Sequence, residues 1–517
     1  MNGTADGWQR VHPASPFVRG WLALAALFFF FGRDTFERLL RGGPAFDERF
    51  AGRAPWLLLG GGAVLLLAVA GFVLSWYFTR YQVADGYVRV STGILVKQQR
   101  QARLDRVQAI DVVQPLLARV LGLAELRFEV ADAGQSAVHL AYLRVAEARR
   151  LRGAILAAGV KADAGEHRPP GDAARGTGSA PATANAEAPE RPVLAVPPQR
   201  LAGSLLLSEQ TVVLLLGAAA SVWLSAATES RAFYLYLVPA GLGMLAAYWN
   251  SFSKGYNFTA AVSPGGIRLR YGLLDTLAQT LPPGRIQALR ISQPPLWRPL
   301  GWYRIQVNVA GYGTPGKDGE RSARTTLLPV GTLADVFALL ALVLPDPGTP
   351  EPGRVFTAGL RGLAPEPDGF VTTPRRARLL APLGWRRNGF TATGTALLIR
   401  SGRWWRHLVV VPHQRTQSMA LHQGPLARLF GVVDLVLHTT SGPVAPRVVR
   451  AGLDQGRDLL DAQSARARSA RRRDSGDGPD NPTGTPADPP AEPSLEIPVE
   501  SSFQPPVESP QEGPQHG

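Results

Sequence analysis

Long apolar stretches without a charged residue stand out along the chain. Residues 56–78 are one such stretch, and at about 1.5 Å per residue a helix of this length crosses a hydrocarbon core of about 30 Å. Residues 210–227 and 232–252 are two more, the second with Pro239 as an expected kink. Only residues 228–231 separate these two, so together they predict a tight helical hairpin.

An earlier apolar stretch, residues 17–31, is shorter and carries Arg19. It spans a membrane if the long arginine side chain reaches the interface. The alternative is a signal peptide, but no small-x-small cleavage motif follows Phe31. The sequence therefore predicts four spans in two hairpins, at residues 17–78 and 201–252.

Basic residues near the spans predict their orientation. Arg200 precedes the second hairpin, and Lys254, Arg268 and Arg270 follow it. The positive-inside rule therefore places the domains on the cytoplasmic side. The loop at residues 32–55 disagrees, because it holds five arginines that are only partly offset by four acidic residues.

Three segments share one pattern of residues at constant spacing. Each has a glycine, an arginine 13 residues later and a glutamine 8 residues after that arginine; a second arginine and a second glycine follow the glutamine by 5 and 8 residues. The three sets are Gly93, Arg106, Gln114, Arg119 and Gly122; Gly272, Arg285, Gln293, Arg298 and Gly301; and Gly402, Arg415, Gln423, Arg428 and Gly431. Constant spacing in three places indicates an internal repeat.

Apolar and polar residues alternate around these positions, as in strands with one buried face. The clearest cases are residues 126–130, 267–271 and 305–309. The first glycine of each set follows a strand-like stretch and predicts a hairpin turn. A helical spacing of apolar residues ends each copy, most clearly at residues 333–344. Antiparallel strands closed by one C-terminal helix predict a pleckstrin-homology (PH) architecture.

The last glycine of each set predicts one particular backbone conformation. Gly122, Gly301 and Gly431 each precede an alternating strand. A glycine that recurs there favours a positive φ or a close backbone approach. We expect the three residues to share one conformation if the copies share one fold.

The repeats resemble a known family. The likeness is carried by residues 106–108 (Arg-Val-Gln) with 121–122 (Leu-Gly), by 412–418 (Pro-His-Gln-Arg-Thr-Gln-Ser) with 423–426 (Gln-Gly-Pro-Leu), and by His-Pro at 12–13. The chain is similar to bacterial PH-like domains of the second type, found in paired-hairpin membrane proteins with three copies in one chain. The likeness covers roughly residues 15–160, 200–345 and 385–460. It implies the fold and a membrane setting, and it implies no established activity.

The predicted architecture is a multi-domain membrane protein. It has four transmembrane helices in two hairpins and three PH-like β domains, each with two antiparallel sheets capped by a C-terminal helix. The predicted order is an N-terminal segment (1–16), hairpin one (17–78), PH-like domain one (79–160), a disordered linker (161–200), hairpin two (201–252), PH-like domain two (253–345), a second linker (346–384), PH-like domain three (385–461) and a disordered tail (462–517). A Pro-, Ala- and Gly-rich composition marks the linkers, and a Pro- and acid-rich one marks most of the tail.

Composition narrows the chemistry. The 517 residues include no cysteine, which excludes disulfides, thiolate metal sites and cysteine nucleophiles. The net charge of +15 comes almost entirely from arginine. In a membrane protein such an excess marks cytoplasmic faces and anionic headgroups rather than nucleic acid. The arginines within residues 466–473 either contact anionic lipid or are simply solvated.

Two further motifs lack parts that their chemistry requires. Residues 311–317 nearly form a phosphate-binding loop, but Asp318 stands where a serine or threonine would bind Mg²⁺. Four histidines crowd the third copy, at positions 407, 413, 422 and 438. They lack the carboxylates or the close spacing of a metal site. The sequence therefore predicts no metal, no cofactor and no catalytic site.

The repeated arginines are the candidate contacts for an anion or a partner. They are Arg106, Arg119, Arg285, Arg298, Arg415 and Arg428. The planar guanidinium suits phosphate and lipid headgroups. Recurrence in all three copies favours a structural role instead, in which each arginine ties a loop to backbone carbonyls or a carboxylate of its own domain.

We therefore expect a non-catalytic, multi-pass protein of the bacterial cell membrane, with its PH-like domains and tail in the cytoplasm. One hypothesis is a scaffold or assembly component that binds a membrane protein partner or associates with itself. The alternative is recognition of anionic lipid headgroups by the PH-like domains. A transporter or enzyme is less favoured, because the three longest apolar stretches contain no charged residue.

Overall fold

The structure is a computed structural model. It describes residues 8–15, 17–18, 66–67, 70–71, 73–84, 86–93, 97–103, 107–130, 138–153, 155, 191–228, 232–263, 266–310, 325–363 and 369–474. The chain divides into two units, Met1–Ala470 and Arg471–Gly517. Of the second unit the structure describes only residues 471–474, which are helical.

The first copy is a β domain that ends in a helix. Its described elements are β1 (Gln9–Arg10), β2 (Arg80–Ala84), β3 (Tyr87–Thr92), β4 (Gln98–Arg103), β5 (Val107–Gln114), α1 (Leu116–Val120), β6 (Leu123–Val130) and β7 (Val138–Arg144). Residues 145–153 are helical. The predicted alternation is visible in β6, where Leu126 and Phe128 are fully buried and Arg127 is partly exposed.

The second copy contains a helical hairpin. Its described elements are β8 (Arg191–Ala195), α2 (Pro198–Leu206), α3 (Glu209–Thr228), α4 (Ala232–Gly255), β9 (Thr259–Ser263), β10 (Gly266–Tyr271), β11 (Thr276–Leu281), β12 (Ile286–Gln293), β13 (Tyr303–Val309), β14 (Thr326–Gly331) and α5 (Leu333–Val343). Thr332 and Asp335 form a capping box that begins α5. Asp335 also pairs with Arg200 of α2 at 3.1 Å.

The third copy repeats this order without a long hairpin. Its described elements are α6 (Pro352–Arg361), β15 (Val371–Thr372), β16 (Gly389–Ala392), β17 (Ala396–Ser401), β18 (Arg406–Pro412), β19 (Ser418–His422), α7 (Pro425–Leu429), β20 (Val432–His438), β21 (Arg447–Gly452) and α8 (Leu453–Asp474). A helix after the last strand of each copy agrees with the predicted PH architecture.

Sheets that run from one copy into the next join the three copies. The described strands form antiparallel sheets with the orders β1-β2-β3-β4, β7-β6-β5-β11-β10-β9-β8, β14-β13-β12-β18-β17-β16-β15 and β19-β20-β21. Strand β5 of copy one pairs with β11 of copy two, and β12 of copy two pairs with β18 of copy three. The copies therefore form one continuous array.

The apolar core crosses the boundary between copies two and three. Trp297 and Tyr303 are buried with Val336 of α5, and the same cluster includes Phe356 of α6 and Leu408 of β18. Separate clusters fill the first copy and the rest of the third. Burial of apolar surface contributes about 25 cal/mol per Å², so α6 is part of the folded core.

Helices α3 and α4 form an antiparallel hairpin with an apolar, exposed surface. The hydroxyl of Thr211, near the start of α3, contacts the hydroxyl of Tyr248, near the end of α4. Within the described residues, α3 is the one helix whose length and composition suit a membrane span. Leu216 and Trp223 on α3 are 66% and 70% exposed. Such a surface requires lipid or a protein partner around it.

The prediction of four spans is confirmed only in part. Helix α3 matches the predicted span at residues 210–227, and α4 occupies the next stretch with Pro239 inside it. Most of the predicted first hairpin, residues 17–78, lies outside the described residues. Its described end, residues 73–78, is helical, and the first two spans stay a prediction.

The structure differs from the predicted linkers and tail. Strand β8 and the start of α2 lie within residues 161–200, and α6 and β15 lie within residues 346–384. Helix α8 continues beyond residue 461 to Asp474. In each segment a few apolar residues, such as Leu194, are buried against another part of the chain. Composition averaged over a segment does not reveal such isolated anchors.

The predicted glycine conformation is confirmed. Gly122, Gly301 and Gly431 have φ values of +67°, +63° and +57°. The turn glycines Gly93, Gly272 and Gly402 also have positive φ. One backbone conformation at matched positions agrees with three copies of one fold.

Candidate functional site

The second arginine of the repeat lies at the junctions between copies. The Arg119 guanidinium donates to the carbonyl of Leu273 at 3.5 Å, and Arg298 donates to the carbonyls of Arg403 and Trp404. Leu273 and Arg403 each follow the turn glycine of the next copy. The two contacts are therefore equivalent, and each ties one copy to the hairpin of the next.

These contacts correct the expectation that each arginine bonds within its own domain. The acceptors of Arg119 and Arg298 are backbone carbonyls, as expected, but they belong to the following copy. Spacing inside one copy could not show this, because the acceptor lies more than 100 residues away. Partial burial, followed by repulsion from Arg406 and Arg403, lowers the pKa of Arg298.

The third member of this set, Arg428, has no such contact. Its side chain is exposed, and its guanidinium makes no hydrogen bond or ion pair with another residue that the structure describes. The described residues after β21 form α8 and contain no further hairpin to supply the acceptor. Arg428 is therefore the available member of the three.

The first arginine of the repeat lies just before the first strand of the second sheet within its own copy. Arg285 precedes β12, and its carbonyl accepts a hydrogen bond from the Ala310 N–H at 2.9 Å. Arg415 precedes β19, and its guanidinium lies 3.7 Å from where a Cβ on Gly284 of copy two would stand. Arg106 lies outside the described residues. These positions favour a structural role for the set.

Two of the matched glutamines, Gln114 and Gln423, close a loop within their own copies. The Gln114 side-chain amide donates to the carbonyl of Leu123 at 3.4 Å, and that of Gln423 donates to Val432 at 3.1 Å. In both cases the bond reaches over the short helix to the start of the next strand. This bond holds the helical loop and its arginine against the sheet.

A cavity of about 570 Å³ lies at the first junction. Its lining includes Gln114 and Arg119 from copy one, and Tyr256, Asn257, Arg270 and Thr276 from copy two. The turn beside it is held to the end of α4, because the N–H groups of Gly272 and Leu273 donate to Tyr256 and Ser253 at 2.8 Å. The cavity therefore lies directly beside the end of the apolar hairpin.

The charge of this cavity suits an anion. Arg119 and Arg270 line it, and no acidic residue is among its described lining. Both arginines are exposed, and the Arg270 guanidinium makes no hydrogen bond or ion pair with another described residue. Guanidinium groups bind phosphate and carboxylate groups through charge-assisted hydrogen bonds. The repeat pattern identified Arg119, whereas Arg270 was noted only as a basic residue after the second hairpin, within an alternating strand.

The corresponding arginine of copy three is buried and already bonded within the fold. Arg400, like Arg270, lies two residues before its turn glycine. It is fully buried, donates to the Ala358 carbonyl at 3.3 Å, and lies over the Phe370 ring at 4.4 Å. Arg400 is thus held by α6 in copy three, whereas Arg270 lines the open cavity in copy two.

The sequence did not identify the residues that lock copy three in place. Arg387 is 1% exposed and donates to the carbonyls of Gly359, Leu360 and Gly362 at the end of α6, at 2.6–2.8 Å. The Asn308 side chain donates to the Val444 carbonyl at 2.6 Å, across copies two and three. Neither residue belongs to the repeat pattern, so no spacing signal marked them.

The four histidines of copy three do not converge. His413 is buried beside the Thr393 carbonyl at 3.0 Å, and His422 and His438 lie on separate strands. Burial, followed by the charges of Arg290 and Arg387, lowers the pKa of His407 to about 4. The described residues contain no group of three side chains able to hold a metal ion. The near phosphate-binding loop at residues 311–317 lies outside them.

Comparison with known proteins identifies the family of the three copies. The family model of the bacterial PH domain matches three regions of the chain, residues 40–159, 211–344 and 358–468. The chain belongs to the bacterial PH domain family. The three matched regions correspond to the three copies and establish the repeat independently of the spacing pattern. No solved structure matches the chain significantly.

A relative of this bacterial PH domain protein lies in the membrane. The chain is 27% identical over 95 residues to the UPF0699 transmembrane protein YdbT of Bacillus subtilis (strain 168). The match covers 18% of this chain and 19% of that protein. The chain thus matches about a fifth of the length of its relative. Together with α3, this relative supports a membrane setting.

Proposed function

We propose that this protein is a non-catalytic, membrane-anchored scaffold, with its PH-like array at the cytoplasmic face of the cell membrane. The observation that carries the proposal is the continuity of the sheets across both junctions. Hydrogen-bonded strands hold the three copies in fixed relative positions, as suits a platform on which partners assemble. The exposed apolar surface of α3 and α4 supplies the anchor.

Recovery of partners from intact membranes tests this proposal. The full chain is cross-linked in native membranes, extracted in mild detergent and analysed by mass spectrometry. We expect a stoichiometric membrane protein partner or a complex of several copies, neither recovered with an unrelated membrane protein of similar abundance. Recovery of the monomer alone would contradict the scaffold function.

The orientation has its own test. Reporter fusions after Ala227 and after Phe252 should report opposite sides of the membrane, because one span, residues 232–252, separates them. The fusion after Phe252 is expected to be cytoplasmic. An external signal near residue 260 would refute this orientation and, with it, any contact with inner-leaflet lipid.

A second candidate function is recognition of anionic lipid headgroups. The observation that favours it is the cavity beside the end of α4, which Arg119 and Arg270 line without a described acidic residue. A headgroup phosphate in the adjacent leaflet would meet both guanidinium groups there. The corresponding position of copy three is filled, so the first junction is the preferred site.

Lipid retention distinguishes this candidate from simple solvation of the cavity. The full chain is placed in nanodiscs of phosphatidylglycerol and phosphatidylcholine, and the lipid that remains after detergent exchange is measured. Arg270→Gln should lower the ratio of retained phosphatidylglycerol to phosphatidylcholine. Arg268→Gln is the matched control, since it removes one charge from the same strand outside the cavity. Equal ratios in both variants would reject headgroup binding at this cavity.

A further inference from the structure

Both internal junctions pair corresponding strands in the same register. Gln114 lies opposite Thr276 at the first, and Gln293 lies opposite Arg406 at the second. Each pair joins the matched glutamine of one copy to the residue four positions after the turn glycine of the next. The chain therefore makes one kind of interface twice.

The two halves of this interface are unpaired at the ends of the array. By the repeat, β4 corresponds to β11 and β18, and β19 corresponds to β5 and β12. Within the described part of the chain, β4 and β19 each form the edge of a sheet, whereas the other four strands lie inside seven-stranded sheets. One half of the interface is thus available at each end.

Side-chain burial also distinguishes the edge strands β4 and β19 from the paired strands inside the sheets. Every β4 side chain that the structure describes is exposed. Ser418 and His422, at the two ends of β19, are exposed as well. In β18, by contrast, the residues from Leu408 to Pro412 are all buried. An edge strand that presents backbone N–H and C=O groups is a template for pairing with another strand.

We infer that β19 of one chain pairs antiparallel with β4 of a second copy of the chain and continues the array from chain to chain. The occupant is a second copy because the chain already makes this interface with itself at both internal junctions. This inference rests on the proposed scaffold function and names one partner for it. The interface is heterologous, so it generates a closed ring or an open filament.

The internal junctions also predict the register between chains. The matched glutamine is Gln423, and the residue four positions after the turn glycine Gly93 is Lys97. Their pairing places His422 opposite Gln98 and Leu421 opposite Gln99.

Charge favours this pairing over a symmetric one. Strand β4 contains Arg100 and Arg103 and follows Lys97, whereas β19 contains no lysine or arginine. Two β4 strands side by side would bring like charges together, which is unfavourable across paired strands. Pairing of β4 with β19 avoids this repulsion.

Arg428 supplies the remaining contact. Arg119 and Arg298 donate to the hairpin that begins at the turn glycine of the next copy. Arg428 holds the same position in copy three, and its guanidinium has no partner within the described residues. In a second chain, the corresponding hairpin begins at Gly93, and Arg428 would donate to it.

Paired cysteines test the register directly, because the chain has no cysteine of its own. Two differently tagged full-length chains are co-expressed, one with Gln98→Cys and the other with His422→Cys, and isolated membranes are oxidised. Gln99→Cys with Leu421→Cys is the neighbouring pair in the same register. A disulfide requires Cα atoms within about 7 Å, so we expect a linked heterodimer from at least one of these pairs.

A shifted pair is the matched control. Ser418→Cys lies four residues from position 422, which is about 13 Å along a strand, and should cross-link to Gln98→Cys at least about tenfold less. Adding Arg428→Gln to the His422→Cys chain should weaken the association about fivefold, which corresponds to one hydrogen bond. Positions 98, 99, 418, 422 and 428 are exposed, so these variants should fold as the parent chain does, and Leu421 is partly buried.

Four results would decide against the inference. Equal cross-linking of the in-register and shifted pairs overturns it, and so do homodimers of a single-cysteine chain, which indicate symmetric pairing. If no pair cross-links but another membrane protein is still recovered with the chain, self-pairing is wrong and the scaffold function stands. If only the monomer is found in both experiments, both proposals fail.

Discussion

At both junctions between copies, corresponding strands pair in the same register and an arginine bonds the following copy. The two junctions differ in the elements that lie beside them. At the first, the hairpin turn abuts the end of α4 and leaves a cavity of about 570 Å³ with Arg270 exposed. At the second, Arg387 and Arg400 are buried against the end of α6. One interface therefore accommodates either an open cationic cavity or a packed core, depending on which helix lies beside it, α4 at the first junction and α6 at the second.

This difference shows that a matched position in a repeat need not keep one role. Arg270 and Arg400 have the same place relative to their turn glycines. Arg270 is available to a ligand, whereas Arg400 bonds a helix carbonyl. The neighbouring element decides the role, because a guanidinium is satisfied by whichever acceptors surround it.

The largest effect is expected at the packed junction, from Arg387→Met. Loss of this side chain leaves three buried carbonyls of α6 without their donor, which should lower the free energy of unfolding by about 2–4 kcal/mol. Denaturant unfolding of the purified full chain, followed by tryptophan fluorescence, measures the change. Arg386→Met is the matched control, since Arg386 is exposed, and should cost less than about 0.5 kcal/mol. Equal losses would mean that α6 does not depend on Arg387.

The free energy of unfolding should depend on pH because of His407, which lies at the packed junction. Its pKa is lowered to about 4 in the folded chain, against about 6.5 when unfolded, so the unfolded chain binds the extra proton between these values. The folding stability associated with the neutral His407 imidazole is fully present above pH 6.5 and is lost as the pH falls toward 4. The loss should be about 2 kcal/mol between pH 7 and pH 5.

The variant His407→Gln isolates this contribution. Unfolding at pH 7 and pH 5 should show a smaller pH dependence in His407→Gln than in the parent. His438→Gln, at an exposed histidine, should keep the full dependence. An unchanged dependence in His407→Gln would show that this imidazole is not neutral in the folded chain.

A smaller loss of stability is expected at the last glycine of each set, where all three copies have the same backbone conformation. Gly301→Ala should cost about 1 kcal/mol, because alanine is strained at a φ of +63° although a Cβ there has open space. Gly424→Ala serves as the control, since Gly424 has a φ of −76° and equally open space. If thermal unfolding of both variants shifts equally, the positive φ is not the cause.

The smallest effects are expected from the arginines that bridge the junctions. Arg298 donates to two carbonyls and Arg119 to one at 3.5 Å, so Arg298→Gln should cost about 1 kcal/mol and Arg119→Gln about 0.5 kcal/mol. Denaturant unfolding measures both. A larger loss in Arg119→Gln would reverse the order of the two junctions and make the first the stronger.

Much of the fold was predictable from local features of the chain. Strand alternation, turn glycines and the helical end of each copy depend on residues close in sequence, and the structure has them at the matched positions. The candidate site was predictable only in part. Arg119 belongs to the repeat, but the cavity also needs Arg270 and the end of α4, which no spacing connects to it.

The sequence by itself determined the three copies, the apolar hairpin of α3 and α4, and the shared conformation of Gly122, Gly301 and Gly431. Each of these follows from periodicity, length or side-chain size within one segment. Only the tertiary structure decided that sheets join the copies and that Arg119 and Arg298 bond the following copy. Pairing between distant strands depends on which edges meet and in which register, and local periodicity carries no information about either.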